Sequence, residues 1–154
     1  MALRRKSREF ALQMLFQWEM GKQDPSRIEA GFWQNARAQK STREFANQLF
    51  ENAAARSAEL DKVITSYARN WRIERMPAID RAILRLAISE MRTTGTPGKV
   101  IINEAIELAK TFSSEDSAPF INGILDAVLK APPEDAGPAG KAAKGGKAGE
   151  AGEQ

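Results

Sequence analysis

The chain contains no histidine, no cysteine and a single tyrosine, Tyr67. Without the first two there is no serine–histidine or cysteine–histidine nucleophile system, no imidazole proton shuttle and no ordinary zinc site. Chemistry at a reacting centre would rest on Asp, Glu, Lys or Tyr67. Disulfides are excluded outright, which fits a reducing compartment such as the cytoplasm. The glycines ahead of residue 130 (Gly21, Gly31, Gly95, Gly98, Gly123) are scattered and form neither GxxxxGK[ST] nor GxGxxG, so a nucleotide-phosphate loop is absent too. No apolar run approaches the length of a membrane span. The basic start followed by apolar residues is not a leader peptide, because Gln13, Gln17 and Glu19 interrupt it and no small-residue cleavage site follows. A soluble, cytoplasmic protein with no cofactor and no metal is the expectation.

What is present is enough to fold. With 154 residues the chain is one domain, or two small subdomains sharing a core, and it buries roughly two thirds of its unfolded surface. Composition changes at residue 131. From there to Gln154 the chain is Ala, Gly, Pro, Lys and Glu with one Asp and one Gln and no aromatic or branched aliphatic residue, a composition that cannot offset its ordering entropy and reads as a disordered tail over 131–154. Three lysines against four acids give the tail −1, so of the total +3 the remainder carries +4.

Residues 3–130 read as helix almost throughout, because apolar residues recur at three and four rather than two. A first helix over 5–20 sets Ala11, Met14, Leu15 and Trp18 on one stripe and ends at Gly21. Asp24 with Pro25 caps and opens a second, with Ile28 and Phe32 inward. Ser41 and Glu44 have capping-box spacing ahead of Phe45, Leu49 and Ala53. The pattern runs on through Leu60, Ile64 and Tyr67, as one bent helix or two. A helix opened by Met76 and Pro77 places Ile79, Ile83, Leu86 and Ala87 inward. The next carries Val100, Ile101, Ala105, Leu108 and Phe112 inward, with Glu104 and Glu107 outside. The last starts near 114–119, where Ser114, Glu115 and Asp116 suit a helix N-terminus, and presents Phe120, Ile124 and Val128. Gly123 inside it costs roughly 1 kcal/mol relative to Ala, which close approach of another helix would explain. About seven helices in two groups result, joined near residues 70–76.

Arg4, Arg5, Lys6 and Arg8 form a cationic cluster that runs into the first helix without a turn signal. A flexible basic arm over residues 1–8 can hold a nucleic-acid backbone, because each neutralised phosphate releases counterions. A solvated tail has the same composition.

Four segments in order narrow the choice: Trp71-Arg72-Ile73-Glu74-Arg75, Ile79-Asp80-Arg81-Ala82-Ile83-Leu84-Arg85-Leu86-Ala87, Val100-Ile101-Ile102-Asn103-Glu104-Ala105-Ile106-Glu107-Leu108-Ala109-Lys110, and Phe120-Ile121-Asn122-Gly123-Ile124-Leu125-Asp126. With the Arg-rich start and Ala11, Leu12, Gln13 and Phe16 they resemble the transcription antitermination factor family NusB, over residues 3–130. The resemblance implies an all-α fold of two small helical bundles and no catalytic activity. It implies binding of boxA-type RNA together with NusE, a small-subunit ribosomal protein, within an antitermination complex that helps RNA polymerase resist termination, notably in ribosomal RNA operons.

By position, the resemblance assigns RNA contact to Arg4, Arg5, Lys6, Arg8, Phe16, Asp80, Arg81 and Arg85. It assigns NusE contact to Glu115, Asp116 and Phe120. The residue types suit single-stranded RNA: arginines meet phosphates, an aromatic face stacks a base, and a carboxylate accepts from base amino groups. Each also has an ordinary structural use. Phe16 and Phe120 can be core, Asp80 can favour the positive end of its helix, Arg81 and Arg85 can be a solvated face, and Glu115 and Asp116 can cap. Two other functions stay open at this level. One is the NusB-like module of a ribosomal RNA cytosine methyltransferase, although no glycine-rich turn for S-adenosylmethionine is present. The other is a helical interaction scaffold with no RNA role.

Overall fold

The computed structural model describes residues 2–68 and 75–131. The joint expected at 70–76 lies mostly outside them, as does the tail beyond 131. Among the described residues the chain is all-α: α1 (Ala2–Gly21), α2 (Pro25–Asn35), α3 (Lys40–Ala55), α4 (Ser57–Tyr67), α5 (Ala78–Thr93), α6 (Gly98–Phe112) and α7 (Ser117–Lys130). No helix among them is long and apolar enough to cross a membrane.

Helix α5 organises the rest. Every residue from Ala82 to Glu90 is buried, and α5 touches α1, α3, α4, α6 and α7. A helix buried on all sides must find partners for its polar side chains, since an unpaired buried charge costs several kcal/mol; Asp80, Arg85 and Glu90 therefore act as internal ties. α1 packs chiefly on α3, and α6 on α7. One continuous apolar core, including Leu12, Leu15, Phe50, Ile64, Ile83, Leu86, Ile101 and Leu125, joins the two groups. Phe10, Phe32 and Trp33 add a three-way edge-to-face cluster with centroids 4.9–5.7 Å apart, and the Trp33 indole donates to Asn47 Oδ1 at 2.8 Å.

Several local expectations are corrected. The basic residues from Arg4 to Arg8 form the opening turns of α1 rather than a free arm. The segment has no helix breaker, and Ser7 anchors it by donating to the Thr42 carbonyl at 2.9 Å. The Ser41–Glu44 capping box does not form, because α3 already starts at Lys40 with Gln39 at the N-cap. Pro25 does open α2, but the Asp24 carboxylate accepts from the Ser26 hydroxyl and makes no cap bond. At the end of α1 the left-handed residue is Lys22, φ 55°, one past Gly21. The pattern through residue 67 resolves into two helices that break at Arg56. Glu104 points inward rather than out, while Val100 is exposed. Gly123 has open space where a Cβ would stand; the close approach is instead at Gly98, whose added Cβ would run into the Leu129 side chain.

Glu29, on α2, makes a pH-dependent contribution. Burial first, and the neighbouring Glu51 carboxylate second, push its pKa up to about 8 from an ordinary 4.5. Between those values the folded state holds a proton that the unfolded chain has released, so stability falls as pH rises from about 4.5 to about 8. Glu29→Gln is expected to remove this dependence. Melting scans at pH 5 and pH 9 should show the variant keeping an advantage of about 1 kcal/mol at the higher pH, a modest value because the group is partly solvated.

Candidate nucleic-acid interface

The N-terminal turns of α1 carry the exposed cations Arg4, Arg5 and Lys6. Arg5 makes a two-pronged bond to Glu104 on α6, Nε and Nη2 each 2.9 Å from a carboxylate oxygen, and this bond holds the Glu104 carboxyl below its usual range. Arg5 is nevertheless half open to solvent. Lys6 reaches Glu9 at 3.4 Å across one helical turn. The Arg4 guanidinium lies 3.8 Å over the Phe45 ring, from α3. Among the described residues it has no carboxylate partner.

Arg8, counted with these from sequence, has a different fate. Its side chain is 6% exposed and grips Glu90 of α5 through two bonds of 2.9 and 2.7 Å. Arg85 is as deeply placed, holding Asp61 through Nε at 2.6 Å and Nη2 at 2.7 Å and meeting Glu19 through Nη1. Burial opposes its charge, but Asp61 and then Glu19 outweigh that and raise its pKa. Arg81 is largely covered beside Glu19 at 3.6 Å. These pairs set α1 antiparallel to α5. They also separate the expected surface into two groups, because Arg5 and Glu19 stand 14 residues apart on one helix, about 21 Å at 1.5 Å per residue.

Asp80 is 2% exposed. One of its oxygens accepts from the Ser113 hydroxyl at 2.6 Å and the other from Ser117 at 2.7 Å, so it ties the start of α5 to the turn between α6 and α7. That turn exposes Glu115 and Asp116. Asp116 occupies the N-cap position of α7 but makes no side-chain cap bond, which leaves its carboxylate facing solvent. Phe120, in the first turn of α7, is partly buried against the core. Phe16 is half-buried and shares a face of α1 with Arg5, three helical turns away.

The model of the NusB family matches residues 5–130. The chain belongs to the NusB family. Its relatives include transcription antitermination protein NusB of Koribacter versatilis, 51% identical over 129 residues, which span 82% of this chain and 88% of that one. The protein of the same name from Solibacter usitatus is 45% identical over 140 residues, 90% of this chain and 96% of that one. Among solved structures, T. maritima NusB superposes with a TM-score of 0.74 at 33% identity, covering 86% of this chain and 95% of that one. A crystal structure of antitermination factors NusB and NusE in complex with dsRNA superposes with a TM-score of 0.76 at 25% identity, covering 86% and 99%.

For a NusB-family chain, then, the candidates divide by environment. Arg4, Arg5 and Lys6 are each exposed around the first turns of α1, Arg4 against α3, Arg5 against α6 and Lys6 beside Phe10, and Glu115 and Asp116 are exposed on the turn before α7. Arg8, Asp80 and Arg85 are internal and already bonded. Sequence reading missed their counter-charges Glu90, Glu19 and Asp61, and also Ser113 and Ser117, since the Arg8–Glu90 partners lie 82 positions apart and no local pattern joins them.

Proposed function

We propose that the chain is a transcription antitermination factor that binds RNA together with NusE and has no enzymatic role, acting in the cytoplasm on boxA-type RNA of ribosomal RNA operons so that RNA polymerase resists termination. The observation that carries the reading is the exposed cationic end of α1 in a chain that shares its family, over nearly its full folded length, with antitermination proteins. Arg4, Arg5 and Lys6 supply phosphate attraction that does not depend on sequence. Phe16, along the same helix, is available to lie against a base. Arg81 contributes charge at the far end, while Arg8, Asp80 and Arg85 act indirectly by holding α1, α5 and the 113–117 turn in register.

NusE is proposed to meet the turn that carries Glu115 and Asp116, with Phe120 beneath. Carboxylates facing a basic ribosomal protein chiefly speed and orient association. Reversing both charges, Glu115→Lys with Asp116→Lys, is expected to slow NusE association about tenfold or more at low salt, measured by stopped-flow or surface binding. An unchanged rate at low salt would place NusE elsewhere.

A further inference from the structure

Beside the N-terminus of α1 lies a groove of about 890 Å³, walled by α1, the start of α3 and the 94–97 loop that joins α5 to α6. It is in the size range of sites that enclose small ligands. Arg4 and Phe45 form one wall, and Gln48, Thr94 and Thr96 are among the polar groups around it. Its base is fixed by the Arg8–Glu90 pair and by the Ser7–Thr42 bond.

We infer that this groove receives a nucleobase of single-stranded RNA, stacked on the Arg4 guanidinium that Phe45 holds in place, with Gln48 and Thr96 meeting the base edge. The inference rests on the RNA-binding reading above and adds a specific site to it. Three observations carry it. The Arg4 guanidinium, 3.8 Å from the Phe45 centroid, has no carboxylate partner among the described residues, so its planar face is held by an aromatic ring rather than by a salt bridge; such planes stack on bases. The Gln48 side chain is exposed and makes no hydrogen bond among the described residues, leaving an amide that can both donate to and accept from a base edge. Arg4 is the exposed cation of the lining, and each of its two acids faces a cation at the rim, Glu104 with Arg5 and Glu44 with Lys40, whereas Lys6 and Arg43 lie over Phe10 and Trp33 instead. The Thr94 hydroxyl donates to the Glu90 carbonyl and accepts from the Thr96 amide, and the Thr96 hydroxyl stands 3.1 Å from it, so Thr96 offers the groove an acceptor lone pair.

The decisive variant is Arg4→Lys, which keeps the charge and loses the plane. Measured with full-length protein, NusE and a boxA RNA oligonucleotide, it is expected to lower affinity roughly 5- to 150-fold, the range for losing one stacked base, with the salt dependence unchanged. Phe45→Leu, which keeps apolar volume, should do the same, and Gln48→Ala should alter the preference for one base of the oligonucleotide without changing the melting temperature. A 2-aminopurine at that base should be quenched by the wild type and not by Arg4→Lys. Wild-type affinity in Arg4→Lys would overturn the inference and leave Arg4 as a phosphate contact only. A change of oligomeric state in Phe45→Leu with RNA affinity intact would also overturn it, making the groove a contact between copies. Failure of the wild type to bind RNA at all would remove the reading beneath it, and the inference with it.

Discussion

Arg8→Ala is expected to destabilise the fold by about 3–5 kcal/mol, the cost of stranding one member of a buried ion pair. The partner left behind is Glu90, whose side chain is 2% exposed and sits on a helix covered on all sides. Water cannot easily reach the orphaned carboxylate. Thermal unfolding should therefore fall by roughly 6–20 °C, taking 2–4 °C per kcal/mol for a chain of this size. Removing both partners for apolar residues of similar volume, Arg8→Met with Glu90→Leu, should recover most of that loss, because the pair itself adds little beyond satisfying its own burial. A drop of only a degree or two in Arg8→Ala would show that Arg8 is a surface cation after all. The sequence places Arg8 in one cluster with Arg4, Arg5 and Lys6, and this variant separates it from them.

Alanine at Arg4, Arg5 and Lys6 together is expected to have the opposite profile. Arg4 and Lys6 make only exposed contacts and Arg5 is half open, so the loss of stability should be modest and come chiefly from the Glu104 carboxylate that Arg5 leaves behind. RNA binding should change a great deal. For single strands the slope of log affinity against log salt is about −0.7 per phosphate neutralised, so losing three contacts should flatten the slope by about 2. At low salt the affinity itself should fall by about 100-fold or more if each contact is worth around 1 kcal/mol, the upper end of the range for exposed charge pairs. At high salt the wild type and the variant should converge. An unchanged slope would make the N-terminal turns of α1 a solvated helix end.

The helices were legible because their signals are local. Leu12, Leu15, Ile83, Leu86, Leu108 and Ile124 recur at helical spacing, and each is buried where that spacing puts it. The site was legible only in part, and the reason is physical. A cluster such as Arg4, Arg5, Lys6 and Arg8 says that charge is present, but which of the four meets solvent depends on the angle of each around α1 and on what packs there. Arg8 turns towards α5 and Arg4 towards α3. Asp80 looks from sequence like a helix-start acid or a base reader; two hydroxyls more than thirty positions away make it a tie. Capping residues misled in the same direction, since Asp24 and Asp116 stand at N-caps without a side-chain cap bond and Ser41 lies inside α3, past the N-cap Gln39. Gly123 suggested a close helix approach that occurs at Gly98 instead.

This chain is proposed to recognise RNA as a partner of NusE, with the α1 terminus supplying general attraction and selectivity arising once the partner is present. The most direct measurement is the affinity of the full chain for boxA RNA and for a scrambled RNA of equal length, each with and without NusE at one fixed salt concentration. The expected result is weak binding to both RNAs by the chain alone and a clear preference for boxA when NusE is added. Equal affinity for the two RNAs in every condition would contradict it.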